Sequence, residues 1–223
     1  MFLKVGHRGA RAYETENTLE SFGTAIKLGA NAVEFDIRQS EDGRLIVCHD
    51  DNLKKIFGMD VPIGKTSLKA LKDMTGGRIV TLEESLKFIG RKAEKILVEL
   101  KESGYEKKVL EKISEQKLDD RVIVVSFHEE ALAAARSLSG KVETGFIYVR
   151  SKNPVETALK LHAQYLIPLY RFIHTKDVER AHRNGLKVIV WTINTREEAK
   201  EFMAKGVDGI ATDKPDIFSE YIS

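Results

Sequence analysis

The stretches NAVEFDI (31–37) and KILVELK (95–101) have the β-branched and aromatic character of buried strands, yet each carries charge at every second position. In extended form 31–37 sends Val33, Phe35 and Ile37 to one face and Glu34 and Asp36 to the other, while 95–101 places Glu99 and Lys101 together on one face. Taken singly, strand carboxylates are most often solvated. Apolar flanks in two separate strands argue against that here. Adjacent carboxylates repel and resist leaving water unless a cation or a shared proton compensates, so an enclosed site holding Glu34, Asp36 and Glu99 predicts a bound metal.

Outward from these two segments, similar short runs recur at 2–7, 44–49, 122–127, 144–149, 165–170, 187–193 and 208–212, with amphipathic segments between them. Helix starts are marked by Asn17 or Thr18 ahead of a segment ending at Gly29, and by a capping box of Thr81 and Glu84. Repeated strand–helix alternation demands a parallel sheet covered by helices, and about eight units closing on themselves give an α/β fold of the (β/α)8 TIM-barrel type. The count fits if 44–49 is an accessory strand. No Gly-rich dinucleotide turn follows the first strand and no GxxxxGK loop occurs, which favours the barrel over an open nucleotide-binding sheet. Residues 50–80 are polar and only weakly periodic. They are expected to form a small insertion beside the barrel mouth of a single domain spanning 1–223.

The 223 residues carry 36 Lys and Arg against 34 Asp and Glu, a net charge of +2. That balance argues against nucleic acid or a polybasic membrane surface as partner. The sole cysteine, Cys48, is expected to be a small buried residue in a reducing compartment. No signal-peptide pattern opens the chain and no apolar run reaches membrane-spanning length, so a cytoplasmic protein is expected.

Barrel enzymes place their functional groups at the C-terminal ends of the strands. His7, the pair Glu34 and Asp36, His49, the pair Glu99 and Lys101, and Trp191 all fall there. Three carboxylates are an all-oxygen set suited to Mg²⁺ or Ca²⁺, with Mn²⁺ as a further possibility, rather than Zn²⁺. Arg8 and Lys101 offer fixed positive charge for phosphate oxygens, and His7 and His49 remain for proton transfer. Metal, cations and two imidazoles together describe phosphodiester cleavage. Trp191 is either core or the floor of a glycerol or alkyl pocket. Asp213, before Lys214 and Pro215, reads as a helix cap.

The ordered series HRG (7–9), ENT (16–18), EFD (34–36), HD (49–50), TLEE (81–84), ELK (99–101), SF (126–127), the Trp191 strand and TDKP (212–215) resembles glycerophosphodiester phosphodiesterases, relatives of phosphatidylinositol-specific phospholipase C. Each motif is weak alone, but their order along most of the chain is specific. The resemblance implies a TIM barrel with an insertion after the HD strand, Glu34, Asp36 and Glu99 as metal ligands, His7 and His49 as the acid–base pair, and Arg8 and Lys101 as phosphate contacts. It implies hydrolysis of glycerophosphodiesters to sn-glycerol 3-phosphate and an alcohol, by direct attack of water or through a cyclic phosphate. Thr15 stands where the family usually has proline. That change touches backbone stiffness, not chemistry. Glu16 either orients a site residue or meets glycerol hydroxyls. Two other readings are a lysophospholipase D or phospholipase C-like lipid phosphodiesterase, which needs an apolar or basic rim, and a catalytically silent barrel that binds glycerophosphodiesters.

Overall fold

A computed structural model describes residues 1–221. The chain runs through β1 (Leu3–Gly6), α1 (Leu19–Lys27), β2 (Ala32–Gln39), β3 (Leu45–Val47), α2 (Lys54–Phe57), α3 (Leu68–Met74), α4 (Leu82–Ile89) and β4 (Lys95–Leu100). It continues through α5 (Glu106–Glu115), β5 (Val122–Ser126), α6 (Glu129–Leu138), β6 (Glu143–Tyr148), α7 (Pro154–Lys160) and β7 (Tyr165–Pro168). The last elements are α8 (Thr175–Arg183), β8 (Lys187–Val190), α9 (Arg196–Ala204) and β9 (Gly209–Thr212). Eight parallel strands in the order β1-β9-β8-β7-β6-β5-β4-β2 close through the β1–β2 pairing, and β3 lies antiparallel on β2, outside the ring. The fold is the (β/α)8 barrel, with 44–49 as the accessory strand.

Strands buried on both faces explain why the apolar runs are nearly continuous. Val33, Phe35 and Ile37 of β2 and Ile96, Val98 and Leu100 of β4 face outward, in one cluster with Phe22, Leu86 and Val109 of the surrounding helices. The opposite faces fill the barrel, where Leu3, Val5, Leu97, Val125, Ile147, Ile167 and Ile189 pack together. Glu34, Asp36 and Glu99 sit on that inner face, toward the C-terminal ends of their strands. Helix starts follow local chemistry: Thr18 Oγ1 accepts from Ser21 N at 3.2 Å, and Thr81 and Glu84 cap each other reciprocally.

Residues 50–80 depart from the polar, weakly ordered reading. Two short helices and a 3-10 turn at Ile63–Lys65 gather Leu53, Ile63, Leu71 and Ile79 against Ile46 and Cys48 in an apolar cluster of their own. Helices this short never complete the turns that would make their spacing visible as periodicity. Cys48 is buried there and burial pushes its thiol up to about 12, which leaves it inert. Several strands are shorter than expected: β3 keeps only Leu45–Val47, β7 stops at Pro168 before a 3-10 turn at Tyr170–Phe172, and β8 stops at Val190, with Trp191 joined by a bridge to Leu169. No helix among the described residues is long and apolar enough to cross a membrane.

Phe35 is fully buried between β2 and the helices and packs on Phe22 with ring centroids 5.5 Å apart. Phe35→Ala is expected to lower stability by about 3–5 kcal/mol, read as a fall in the urea midpoint with an unchanged slope.

Candidate functional site

Strand register assembles the acidic group. Asp36 of β2 pairs across to Glu99 of β4, and Glu34 stands two residues earlier on the same inward face. One carboxylate oxygen from each of the three lies within 4.8 Å of the others. Asp36 is wholly buried, and Glu34 and Glu99 nearly so.

The turn after β1 supplies the next layer. Arg8 and Gly9 both take left-handed backbone conformations, φ 53° and 84°. A side chain at Gly9 would place its Cβ 2.3 Å from Ser21 Oγ, so only glycine fits. The contorted turn delivers the Arg8 backbone N–H to Glu34 Oε2 at 2.8 Å, while its guanidinium donates to Glu16 Oε1 at 2.8 Å and its Nε lies 3.3 Å from Asp36 Oδ2. Glu16 also receives Arg11 Nε at 2.6 Å, so it orients the two arginines. Asn17, likewise left-handed at φ 61°, donates from Nδ2 to Asp36 Oδ2 at 2.9 Å. Lys101 Nζ donates to Glu99 Oε1 at 2.6 Å and stands 3.4 Å from Asp36 Oδ1.

Burial drives Glu34 well above the ordinary carboxylate range, reinforced by Asp36 and Glu99. Burial with the charge of Asp36 likewise pushes Glu99 up to about 7. Asp36 goes the other way: Arg8 and Lys101 overcome its burial and hold it low. Burial alone lowers the Arg8 guanidinium, but Asp36, Glu34 and Glu16 outweigh it and keep the charge in place. Two carboxylate oxygens, Glu34 Oε1 and Asp36 Oδ1, are buried without a hydrogen-bond donor. Unsatisfied buried oxygens are costly, and a hard divalent cation is the species that would satisfy several at once. The residues therefore fit a divalent metal.

Two imidazoles share the cavity with this acidic group. His7 Nδ1 donates to Asp213 Oδ1 at 2.7 Å, and His49 Nδ1 donates to Asp50 Oδ1 at 2.6 Å. In both rings Nε2 has no partner among the described residues and is the atom left to exchange a proton. Burial lowers the His49 pKa, so the ring is neutral near pH 7 and able to accept one. Asp213 is held in turn by Asn194, whose Nδ2 donates to Oδ2 at 2.9 Å and whose Oδ1 accepts the Asp213 backbone N–H at 2.9 Å.

His7, Arg8, Glu34, His49, Glu99 and Lys101 all line one cavity of about 110 Å³ at the barrel mouth. At a liquid share of about 30 Å³ per water, that enclosed space suits a small polar molecule. Its far side is apolar, built from inward strand residues and Trp191, whose indole Nε1 donates to Ile167 O at 2.9 Å and whose ring meets Phe127 edge-on at 5.7 Å. Every sequence-selected residue thus reaches the same mouth, except that Asp36 lies just beneath it, behind Arg8 and Lys101. Tyr170 and Phe172, which follow β7, do not line it. Tyr170 packs on Phe202, and Phe172 borders a separate cleft.

The sequence reading passed over Asp213, Asn194, Arg11 and Asn17 as site residues. Asp213 is no helix cap here. Its partner His7 lies 206 positions away in sequence, and the two meet only because β9 closes onto β1. The available signals were that Asp213 directly follows a strand end and lies within the TDKP motif at 212–215.

Residues 7–217 match the Glycerophosphoryl diester phosphodiesterase family. The chain is 30% identical over 230 residues to a glycerophosphodiester phosphodiesterase of Caldanaerobacter subterraneus subsp. tengcongensis, covering 96% of this chain and 95% of that protein. The crystal structure of the glycerophosphodiester phosphodiesterase of Thermotoga maritima superposes with a TM-score of 0.86 at 31% identity, covering 99% of both chains. An Oleispira antarctica phosphodiesterase solved with the product sn-glycerol-3-phosphate gives 0.87 at 27% identity, covering 98% of this chain and 96% of that one.

The raised carboxyls have a consequence for stability. Between the unfolded carboxyl pKa and about 7, native Glu99 holds a proton that the unfolded chain has released. Its stabilising contribution is therefore complete below the unfolded value and is lost as pH rises through about 7. The unfolding free energy of the metal-free protein, read from urea titrations, is expected to fall from pH 6 to pH 8 by on the order of 1–3 kcal/mol, and Glu99→Gln is expected to flatten that fall. Equal slopes in both proteins would count against the assignment.

Proposed function

The chain belongs to the glycerophosphoryl diester phosphodiesterase family, and on that premise we propose that it hydrolyses glycerophosphodiesters to sn-glycerol 3-phosphate and an alcohol, using His7 and His49 as its acid–base pair. The observation that carries this reading is the juxtaposition of a carboxylate triad with orphaned oxygens, at and just beneath one cavity, with two imidazoles that line it and are tied back through Nδ1. Glu34, Asp36 and Glu99 would hold the metal, and the oxygen donor set favours Mg²⁺ or Ca²⁺. When bound, such an ion supplies Lewis-acid stabilisation of charge on the phosphoryl oxygens.

The remaining work falls to the chain's own groups. Arg8 and Lys101 bind the phosphate, Arg through its planar fork and Lys as a point charge. One Nε2 takes the proton of the attacking hydroxyl or water, and the other gives a proton to the departing alkoxide oxygen. Asp50 and Asp213 fix the tautomer that leaves Nε2 free, and they stabilise the imidazolium as it forms, as positioning residues. Where the glycerol 2-hydroxyl attacks first, it is already tethered to the phosphorus, and a cyclic phosphate results that water then opens. The apolar side with Trp191 seats the carbon skeleton. We read the chain as one barrel domain with residues 50–80 as its insertion, acting in the cytoplasm on a small-molecule substrate.

Release of glycerol 3-phosphate from glycerophosphocholine, coupled to its oxidation, tests the activity. Turnover is expected with added Mg²⁺, Ca²⁺ or Mn²⁺ and none after chelation. His49→Ala is expected to lose roughly 10²–10⁴-fold in turnover while still binding metal by calorimetry, whereas Glu34→Ala loses both.

Asp213→Asn separates positioning from mere structure. Turnover should drop roughly ten- to a thousand-fold, within the range that acid–base groups contribute, with KM little changed and the pH profile displaced. An unchanged profile would assign Asp213 a structural role only.

A further inference from the structure

A second cavity lies on the other side of the barrel wall. It has a volume of about 400 Å³ and opens between the loop after β6 and the turn after β7, against α7 and α8. Alternation along the strands sets the two cavities back to back. Ile147 and Ile167 face the central one, while their neighbours Tyr148 and Leu166 floor the outer one. We propose that this outer cleft is an anion site for a phosphate-bearing small molecule with an apolar body, separate from the catalytic centre.

Charge is the first argument. Arg150, Lys152, Arg171 and Arg180 line the cleft, and Asp177 is its only carboxylate. In a chain with a net charge of only +2, four cations against one carboxylate is a local excess. Among the described residues, neither Arg150 nor Lys152 has an acidic partner. Arg180 is engaged at 3.4 Å by Glu156, and the Asp177 carboxylate accepts the His174 backbone N–H at 2.8 Å. Asp177 would repel an anion seated close to it, so the anion belongs at the Arg150 and Lys152 side.

Geometry is the second. The Arg150 guanidinium carbon stands 4.1 Å from the centroid of the Phe172 ring. A guanidinium seated over an aromatic ring has its N–H groups to offer, and an arginine fork takes two phosphate oxygens. Phe172 is 41% exposed and Val149 beside Arg150 is 42% exposed. The volume falls within the ~300–1,000 Å³ of small-molecule clefts. An apolar floor beneath cationic walls suits an organic phosphate better than a bare ion. Concavity likewise favours a small molecule over a bilayer, which would meet a convex rim.

The test is calorimetric titration with phenyl phosphate and with inorganic phosphate, on the wild-type protein loaded with Mg²⁺ and on Arg150→Ala/Lys152→Ala. Wild type is expected to show two sites for phenyl phosphate, with inorganic phosphate at least ten-fold weaker at the outer one. In the double variant the outer site disappears, while turnover of glycerophosphocholine, which reports the central site, stays within two-fold. Lys152→Ala alone, with a several-fold weakening at the outer site, keeps the test intact if the double variant folds poorly. Identical titrations of wild type and variant would overturn the proposal. So would loss of co-sedimentation with phosphatidylglycerol vesicles at unchanged phenyl phosphate binding, which would assign these cations to a lipid surface instead.

Discussion

Three carboxylates forced into one low-dielectric space govern this molecule. Glu34, Asp36 and Glu99 are placed by strand register, two of them adjacent across the β2–β4 ladder, and all three are buried. Burying ions costs several kcal/mol apiece unless partners are supplied. Nearly everything around them is a partner: the Arg8 backbone N–H on Glu34, Asn17 on Asp36, and Lys101 on Glu99. Two of those partners stand on left-handed, non-glycine backbone, at Arg8 and Asn17. Such conformations are costly and persist where surrounding structure over-determines them, which is characteristic of functional sites.

The barrel pays for this locally costly arrangement with apolar burial elsewhere. Below the carboxylates the interior is an aliphatic stack, and outside the strands the largest cluster packs against the helices. Val33, Phe35 and Ile37 belong to that outer layer, while the residues between them belong to the site. A single strand therefore serves stability with one face and chemistry with the other. A one-residue slip would exchange the two, so the apolar face also fixes the geometry of the ligand set.

Much of this was legible because alternation is a local signal. Charge at every second position of an apolar strand exposes Glu34, Asp36, Glu99 and Lys101 without any tertiary knowledge, and repeated strand–helix units give the barrel. What closure creates was not legible. The hydrogen bond from His7 to Asp213 exists only because the ninth strand pairs with the first, and Asp213 alone looks like a cap before proline. Asn17 was noticed only as a candidate cap, and Thr18 proved to be the residue that caps α1, freeing Asn17 to reach Asp36. Residues 50–80 hid their apolar cluster because it is assembled from short segments, each below the length at which a period can be recognised.

The two cations at the centre have a double claim on them. Without metal, Arg8 and Lys101 sit against the triad, three negative groups facing two positive ones. Burial first, and then repulsion within the triad, raises the carboxyls of Glu34 and Glu99. In that state Arg8 and Lys101 are held against the carboxylates, and the protons kept by Glu34 and Glu99 reduce the negative charge they face. A divalent cation would take the place of those protons: three ionised carboxylates, Arg8, Lys101 and the ion would then sum to about one positive charge, available to phosphate oxygens. A monoanionic diester would then restore neutrality. On this accounting metal binding and proton release at the triad are linked, and the reciprocity of binding free energies requires protonation of Glu34 and Glu99 to weaken the hold on the metal.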